Sequence, residues 1–108
     1  EYRYMRAVGR LVEAVHGDAV GHPWMVAIRE HRFPFLPKVG DWNRFSRNTG
    51  GTLVEKCCHF FDLMNLVLRR RALRVFASGA MDVNHLDERY GGERPDILDN
   101  AFTVVDYE

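Results

Sequence analysis

The chain has 108 residues, of which 46% are apolar and 28% are charged, and this length and composition are typical of one soluble globular domain without a second independent core. Fifteen lysines and arginines balance fifteen aspartates and glutamates, so no overall basic field favours nucleic acid. No apolar run approaches the ~20 residues of a membrane span. We therefore expect neither a nucleic-acid partner nor a membrane partner.

The only two cysteines, Cys57 and Cys58, are adjacent in the sequence. On a helix their side chains would diverge by about 100 degrees, which is a poor geometry for a disulfide. We interpret them as reduced packing residues, and this predicts a cytoplasmic location. The chain lacks an initiating methionine and stops within a predicted strand, so we expect it to be part of a larger chain.

The first half of the chain predicts one helix, one strand and a long loop. Apolar residues at helical spacing predict a helix from Tyr2 to His16. Alternation around Trp24 predicts a strand from His22 to Phe35, ended by prolines. Leu36–Gly51 then predicts a loop with Trp42 and Phe45 as aromatic anchors, and loops of this length are uncommon unless they line a site.

The second half predicts a long central helix followed by two strands. The helix begins after Gly50 and Gly51 and continues to Leu68, with Thr52 and Glu55 as a candidate capping box. The strands are predicted over the ranges Arg74–Val83 and Ala101–Tyr107, with a polar loop, Asn84–Pro95, between them. The order helix, strand, helix, strand, strand favours an α+β fold with helices on one face of a mainly antiparallel open sheet.

Three polar side chains of the central helix, Glu55, His59 and Asp62, stand at positions i, i+4 and i+7. On a continuous helix this spacing aligns them on one face. A metal site is disfavoured, because the other ligand types nearby, Cys57 and Cys58, are consecutive with His59 and fan apart. A cysteine nucleophile is also disfavoured, because the adjacent His59 points away from Cys58.

Acid/base chemistry fits the same three residues better. A histidine with a carboxylate one turn away can take a proton from a substrate hydroxyl, the step that accompanies hydride removal from an alcohol. Spacing alone favours a different interpretation, in which His59 is a half-buried histidine hydrogen-bonded between Glu55 and Asp62. The residue pattern leaves both alternatives open.

The run from Gly50 to Leu63, G-G-T-L-V-E-K-C-C-H-F-F-D-L, resembles the signature of the glucose-fructose oxidoreductase, inositol dehydrogenase and rhizopine-catabolism protein (Gfo/Idh/MocA) family. In that signature a Gly-Gly pair precedes an acidic residue, a histidine four later and an aspartate three after that. Three further segments also resemble the family: Arg3-Tyr4-Met5, Asp41-Trp42-Asn43 and Asp99–Phe102. The likeness covers nearly the whole chain.

The resemblance implies a truncated C-terminal domain with a glyceraldehyde-3-phosphate dehydrogenase-like C-terminal fold. The G-x-G-x-x-G turn of the family's nucleotide-binding domain and its Glu-Lys-Pro segment are absent from these residues. NAD or NADP would therefore be bound mainly by a domain outside this chain. The resemblance also implies that the 108 residues are inactive by themselves.

Carried over residue by residue, the resemblance makes His59 the catalytic or substrate-orienting imidazole. Glu55 takes an acidic position that is an aspartate in inositol-dehydrogenase-like members. Asp62 is expected to support the residues that contact the substrate. Trp42 and Arg44 are expected to form part of the cleft wall and to contact the substrate. No chemistry is assigned to the lysine and two cysteines between these positions.

The expected function is therefore a substrate-binding and assembly domain of an NAD(P)-dependent oxidoreductase that acts on a sugar, a polyol or a related hydroxy compound. The alternative is a non-catalytic module for oligomerisation through the sheet, or for ligand sensing. Either would suit a homodimer or tetramer formed through the sheet face, with Trp24 and Phe102 as its expected participants.

Overall fold

The computed structural model describes all residues from 1 to 108. The chain begins with a 3-10 turn, Tyr2–Tyr4, and continues as helix α1, Arg6–His16. Met5 between them has an extended backbone, with φ −70° and ψ 132°. The predicted N-terminal helix is thus confirmed over most of its length, and its first turn is a separate unit. Gly17 ends α1 as expected, and its amide donates to the Glu13 carbonyl at 2.8 Å.

The predicted strand from His22 to Phe35 is wrong. The segment forms no hydrogen-bonded strand and takes part in no backbone hydrogen bond. Its alternating sequence suits a strand, but a strand needs backbone hydrogen bonds to a neighbouring edge, and this segment pairs with neither free edge of the two-stranded sheet. Trp24 is consequently 90% exposed and contacts the ring of His22.

The expected loop from Leu36 to Gly51 contains more regular structure than predicted. Residues Val39–Arg44 form 3-10 turns, interrupted by positive φ angles at Gly40 and Asp41. Helix α2 follows at Ser46–Thr49. The segment is therefore an ordered connection, and its aromatic residue Phe45 is buried.

A Gly-Gly pair starts the next helical region with two left-handed residues, Gly50 at φ 75° and Gly51 at φ 77°. A Cβ on Gly50 would lie 2.8 Å from the Cβ of Val54, and residues with a Cβ rarely adopt such φ angles. Glycine is therefore required here by conformation and by space. No side chain caps the helix, and the Thr52 hydroxyl instead donates to the Leu98 carbonyl, so the predicted capping box is wrong.

The predicted central helix is divided into α3, Gly51–Glu55, and α4, Cys58–Leu68. The Thr52 carbonyl accepts hydrogen bonds from the amides of both Lys56, at 3.0 Å, and Cys57, at 3.2 Å. This shared acceptor inserts a wider turn into the helical ladder and shifts the residues that follow. No helix of the chain is both long enough and apolar enough to cross a membrane.

Two antiparallel strands complete the fold, β1 at Ala72–Ala80 and β2 at Asn100–Tyr107. Val75 pairs with Val105 and Phe76 with Val104, and an irregularity lies between Ala72 and Arg74. The hydroxyl of Tyr107 donates to Asn65 of α4 at 2.9 Å, which joins the sheet to the helix. Helices combined with an antiparallel sheet confirm the α+β class, although β1 begins and ends earlier than predicted.

All six buried residues come from two short segments, Asn43–Gly51 and Pro95–Ile97. The amide of Ser46 donates to the Asp96 carboxylate at 2.6 Å, and the Asp96 amide donates to the Arg44 carbonyl at 3.2 Å. The junction between these segments is the core of the chain. It places the Gly-Gly turn, and hence the start of α3, against the residues that precede β2.

The carboxylate of Asp99 closes the turn that follows β1. It accepts backbone hydrogen bonds from Asp82 at 3.1 Å, Val83 at 2.8 Å and Asn84 at 2.6 Å. Burial raises the pKa of Asp99, but these amide donors more than offset that effect and lower the pKa from 3.8 to about 2.

We predict that Asp99→Ala lowers the free energy of unfolding at pH 7 by about 2 kcal/mol, because three amide donors lose a charged acceptor. Since the folded pKa lies below the unfolded one, the contribution of Asp99 is present above pH 3.8 and declines toward pH 2. Urea unfolding at pH 7 and at pH 2 measures both effects. An equal deficit at the two pH values would contradict this account of Asp99.

Candidate functional site

The candidate site lies where the N-terminal turn Tyr2–Tyr4 packs on α4. The ring of Tyr2 stacks on the His59 imidazole, with 5.1 Å between centroids and 27° between planes. The same ring contacts Phe60 at 5.7 Å. The His59 side chain remains 31% exposed, and its Nε2 lies 3.9 Å from a Glu1 carboxylate oxygen. The imidazole is therefore held by an aromatic neighbour and is open to solvent.

Asp62, one turn further along α4, is held by Arg3 of the same N-terminal turn. The guanidinium Nε donates to Asp62 Oδ2 at 2.9 Å, and a second nitrogen donates to Oδ1. This bond and the charge of Arg3 lower the pKa of Asp62 and outweigh the opposing effect of burial. The bidentate pair attaches the N-terminal turn, which also carries Tyr2, to α4.

Lys56 lies at the wide turn between α3 and α4 and also contacts Tyr2. Its Nζ donates to the Tyr2 hydroxyl and lies 4.7 Å from the centre of that ring. It also lies 3.5 Å from a Glu30 carboxylate oxygen. The bond to Tyr2 raises the pKa of Lys56 more than burial lowers it. Sequence reasoning gave this lysine no role, because nothing in the helical periodicity indicates a contact with Tyr2.

Glu55 points toward a different set of neighbours. Its Oε1 lies 2.6 Å from Nζ of Lys38, and the Glu55 side chain is 20% exposed at the wall of a cavity of about 320 Å³. Lys38 Nζ also lies 5.6 Å from the ring of Trp42. The structure thus brings Glu55 and Trp42 close together through Lys38, a residue that the sequence pattern did not indicate.

The three polar residues predicted to form one stripe thus have separate partners. Glu55 pairs with Lys38, His59 stacks on Tyr2, and Asp62 pairs with a residue of the N-terminal turn. No hydrogen bond joins His59 to either carboxylate. The wide turn after α3 breaks the i, i+4 geometry between Glu55 and His59, whereas Asp62 follows His59 on α4 but is bonded to Arg3. The interpretation of His59 as hydrogen-bonded between two carboxylates is wrong in this structure.

Arg44, expected as a substrate contact, is instead part of the core, and its side chain is 2% exposed. Its Nε donates to Glu88 at 2.8 Å and to the Tyr90 hydroxyl at 3.3 Å. Tyr90 donates to Glu88 at 2.8 Å, and His85 Nδ1 lies 2.8 Å from the second Glu88 oxygen. Burial raises the pKa of Glu88, but the bonds from His85, Tyr90 and Arg44 more than offset it and keep the pKa low. The guanidinium therefore has a structural partner and does not reach the surface.

Cys57 does not have the environment of a catalytic thiol. Both cysteines are free, and burial together with the nearby charge of Glu30 raises the pKa of Cys57, which lowers the thiolate population. No group of three or more histidine, cysteine, aspartate or glutamate side chains is arranged to hold a metal ion.

Comparison with known proteins gives the family. The sequence model of the oxidoreductase family C-terminal alpha/beta domain matches residues 12–108. The chain belongs to the Gfo/Idh/MocA oxidoreductase family. No curated protein matches the sequence significantly.

One solved structure extends the comparison to the fold. A probable dehydrogenase from Thermotoga maritima is 26% identical to this chain and superposes on it with a TM-score of 0.71. The alignment covers 99% of this chain and 29% of the dehydrogenase. The chain therefore spans less than a third of the length of the solved protein to which it is similar. Both comparisons confirm the resemblance read from the Gly-Gly signature.

The residues of this Gfo/Idh/MocA domain do not by themselves fit a dinucleotide. Such a site needs a glycine-rich turn between a strand and a helix in a parallel unit. Here the two strands are antiparallel, and the Gly50–Gly51 turn follows the short helix α2 instead of a strand. What the domain offers is a partly exposed imidazole on α4 and a separate charged cavity beside Glu55.

We predict that Glu88→Gln lowers the free energy of unfolding by about 3 kcal/mol, because it leaves the buried Arg44 guanidinium without a countercharge. Glu93→Gln is the matched control, since Glu93 pairs with Arg47 at 2.6 Å on the surface with both side chains more than half exposed. An exposed pair of this kind contributes about 0–1 kcal/mol. Urea denaturation compares the two variants, and equal losses would contradict a structural role for the Arg44–Glu88 pair.

Proposed function

We propose that this domain binds the substrate of a nicotinamide-dependent oxidoreductase that acts on a sugar, a polyol or a related hydroxy compound. Membership of the Gfo/Idh/MocA family supports the reaction class. The observation that carries the proposal is the environment of His59: its ring is fixed against Tyr2 at 5.1 Å, remains 31% exposed, and lies on the α4 surface next to the turn that carries Lys56.

In this proposal His59 takes the proton from the substrate hydroxyl that is oxidised. A histidine suits this task because its reference pKa lies near neutral pH. Tyr2 holds the plane of the imidazole by stacking, and the Arg3–Asp62 pair holds Tyr2 in place. Asp62 is therefore a positioning residue, and the orientation of His59 depends on the N-terminal turn.

Glu55 and Trp42 complete the substrate surface in this proposal. The Glu55 carboxylate accepts hydrogen bonds from hydroxyl groups of the substrate, while its ion pair with Lys38 at 2.6 Å holds it at the cavity wall. Trp42, next to Lys38, offers an aromatic wall. When bound in the complete protein, NAD or NADP supplies the hydride acceptor, and it would be held mainly by residues outside this domain.

We predict that His59→Ala in the full-length protein lowers kcat for polyol or sugar oxidation by about 100-fold or more, because the reaction loses its general base. His22→Ala, which removes an exposed histidine that contacts Trp24, is the matched control and is expected to leave kcat unchanged. The assay follows nicotinamide reduction across a substrate panel, and circular dichroism verifies folding. An active, folded His59→Ala enzyme would exclude His59 as the base.

A second function, assembly through the sheet, is favoured by the apolar side chains of one face of the β1–β2 sheet. Phe76, Phe102 and Val104 lie on that face, and Phe102 is 79% exposed. Trp24, the other expected participant, lies on the extended segment outside the sheet. Exposed apolar patches of this kind favour association between copies of a chain.

We expect the protein to sediment as a dimer or tetramer, and Phe102→Asp to shift it toward monomer, because a charge on the apolar face opposes its burial. Trp24→Asp separates the contribution of the sheet from that of the extended segment. Analytical ultracentrifugation over a wide concentration range measures both variants. A strict monomer for the unmodified protein would rule out assembly through this face.

A further inference from the structure

The cavity beside Glu55 has features that the proposed proton transfer does not use. It has a volume of about 320 Å³, which is within the range of small-molecule sites. One wall is the extended segment after α1, which contributes Arg32, Phe33 and Phe35. Lys38 and Glu55 also line it. Aromatic rings and charged groups thus converge on one space.

The Arg32 guanidinium is held over aromatic rings and not by a carboxylate. Its Cζ lies 5.2 Å from the centre of the Phe33 ring and 4.9 Å from that of Phe35. The nearby carboxylates have other partners, since Glu55 pairs with Lys38 and Glu30 pairs with Lys56. Arg32 forms no ion pair, so its five N–H donors are available to a ligand.

The charges at the cavity do not cancel. Lys38 neutralises Glu55 at 2.6 Å, and this leaves the charge of Arg32 uncompensated. The positive field of Arg32 extends to Lys56, where it opposes the rise in pKa that the Tyr2 hydroxyl causes. A neutral sugar would leave this excess charge unused, whereas an anionic group would complement it.

We propose that the cavity binds the anionic group of the substrate through Arg32, so that the preferred substrate is a sugar acid or a sugar phosphate and not a neutral sugar. A guanidinium fork matches the paired oxygens of a carboxylate or phosphate, and the rings of Phe33 and Phe35 lie 5.2 Å and 4.9 Å from the Arg32 Cζ. This inference rests on the proposed function, because it assigns the substrate class of the same surface. It assigns to Arg32 a binding role and no part in proton transfer.

The test is titration calorimetry on the full-length protein with D-glucuronate, D-glucose 6-phosphate and neutral D-glucose, with inorganic phosphate as the free anion. We expect at least one anionic sugar to bind 10-fold or more tightly than glucose. Arg32→Gln should abolish that difference, and Arg32→Lys should retain part of it. Arg29→Gln, on the same segment outside the cavity lining, is the matched control and should retain all of it.

Comparing D-glucuronate with D-glucose 6-phosphate distinguishes a carboxylate from a phosphate as the preferred anionic group. Comparing D-glucose 6-phosphate with inorganic phosphate shows whether the sugar contributes to binding. Equal binding of glucose and both anionic sugars, or the same affinities after Arg32→Gln, would overturn the inference. Binding is measured without turnover, so it is independent of the test of His59. Oxidation of neutral polyols that depends on His59, without anion preference, would leave the proposed function standing and remove this inference.

Discussion

The ion pair between the buried Arg44 and the partly exposed Glu88 is the interaction on which the rest of the chain depends. It joins the 3-10 turn before α2 to the loop before β2, and every buried residue of the chain belongs to the segments 43–51 and 95–97 that meet beside it. A charge without a partner in such a place would cost several kcal/mol. The network of Glu88, Tyr90 and His85 supplies that partner and fixes Arg44 beside the junction that positions the Gly-Gly turn.

The remainder of the chain buries little of its own surface. Its radius of gyration is 16.6 Å, whereas a compact chain of this length has about 13 Å. Both faces of the two-stranded sheet retain exposed apolar side chains, and the extended segment 22–35 has no strand partner. A two-stranded ribbon with a solvated apolar face needs further packing to be stable. Burial of these surfaces against additional protein, or against another copy of the chain, would contribute most to stability.

Two different interactions orient the side chains of the candidate site. His59 is oriented by an aromatic contact and stays open to solvent, while Glu55 is oriented by the charge of Lys38 at the cavity wall. Both depend on residues that are distant in sequence, Tyr2 and Lys38. The wide turn after α3 separates the two residues, so that they serve neighbouring surfaces and not one polar stripe.

The sequence by itself determined the family, the α+β class, the Gly-Gly turn and the approximate places of α1, α4 and both strands. These features depend on local properties, since periodicity and glycine conformation act over a few residues. Only the tertiary structure decided that Arg44 is buried, that Tyr2 and Lys38 accompany the site, and that the segment 22–35 has no strand partner. The physical reason is that these outcomes depend on contacts across 17 to 57 positions of the chain, which charge, size and spacing along the sequence do not specify.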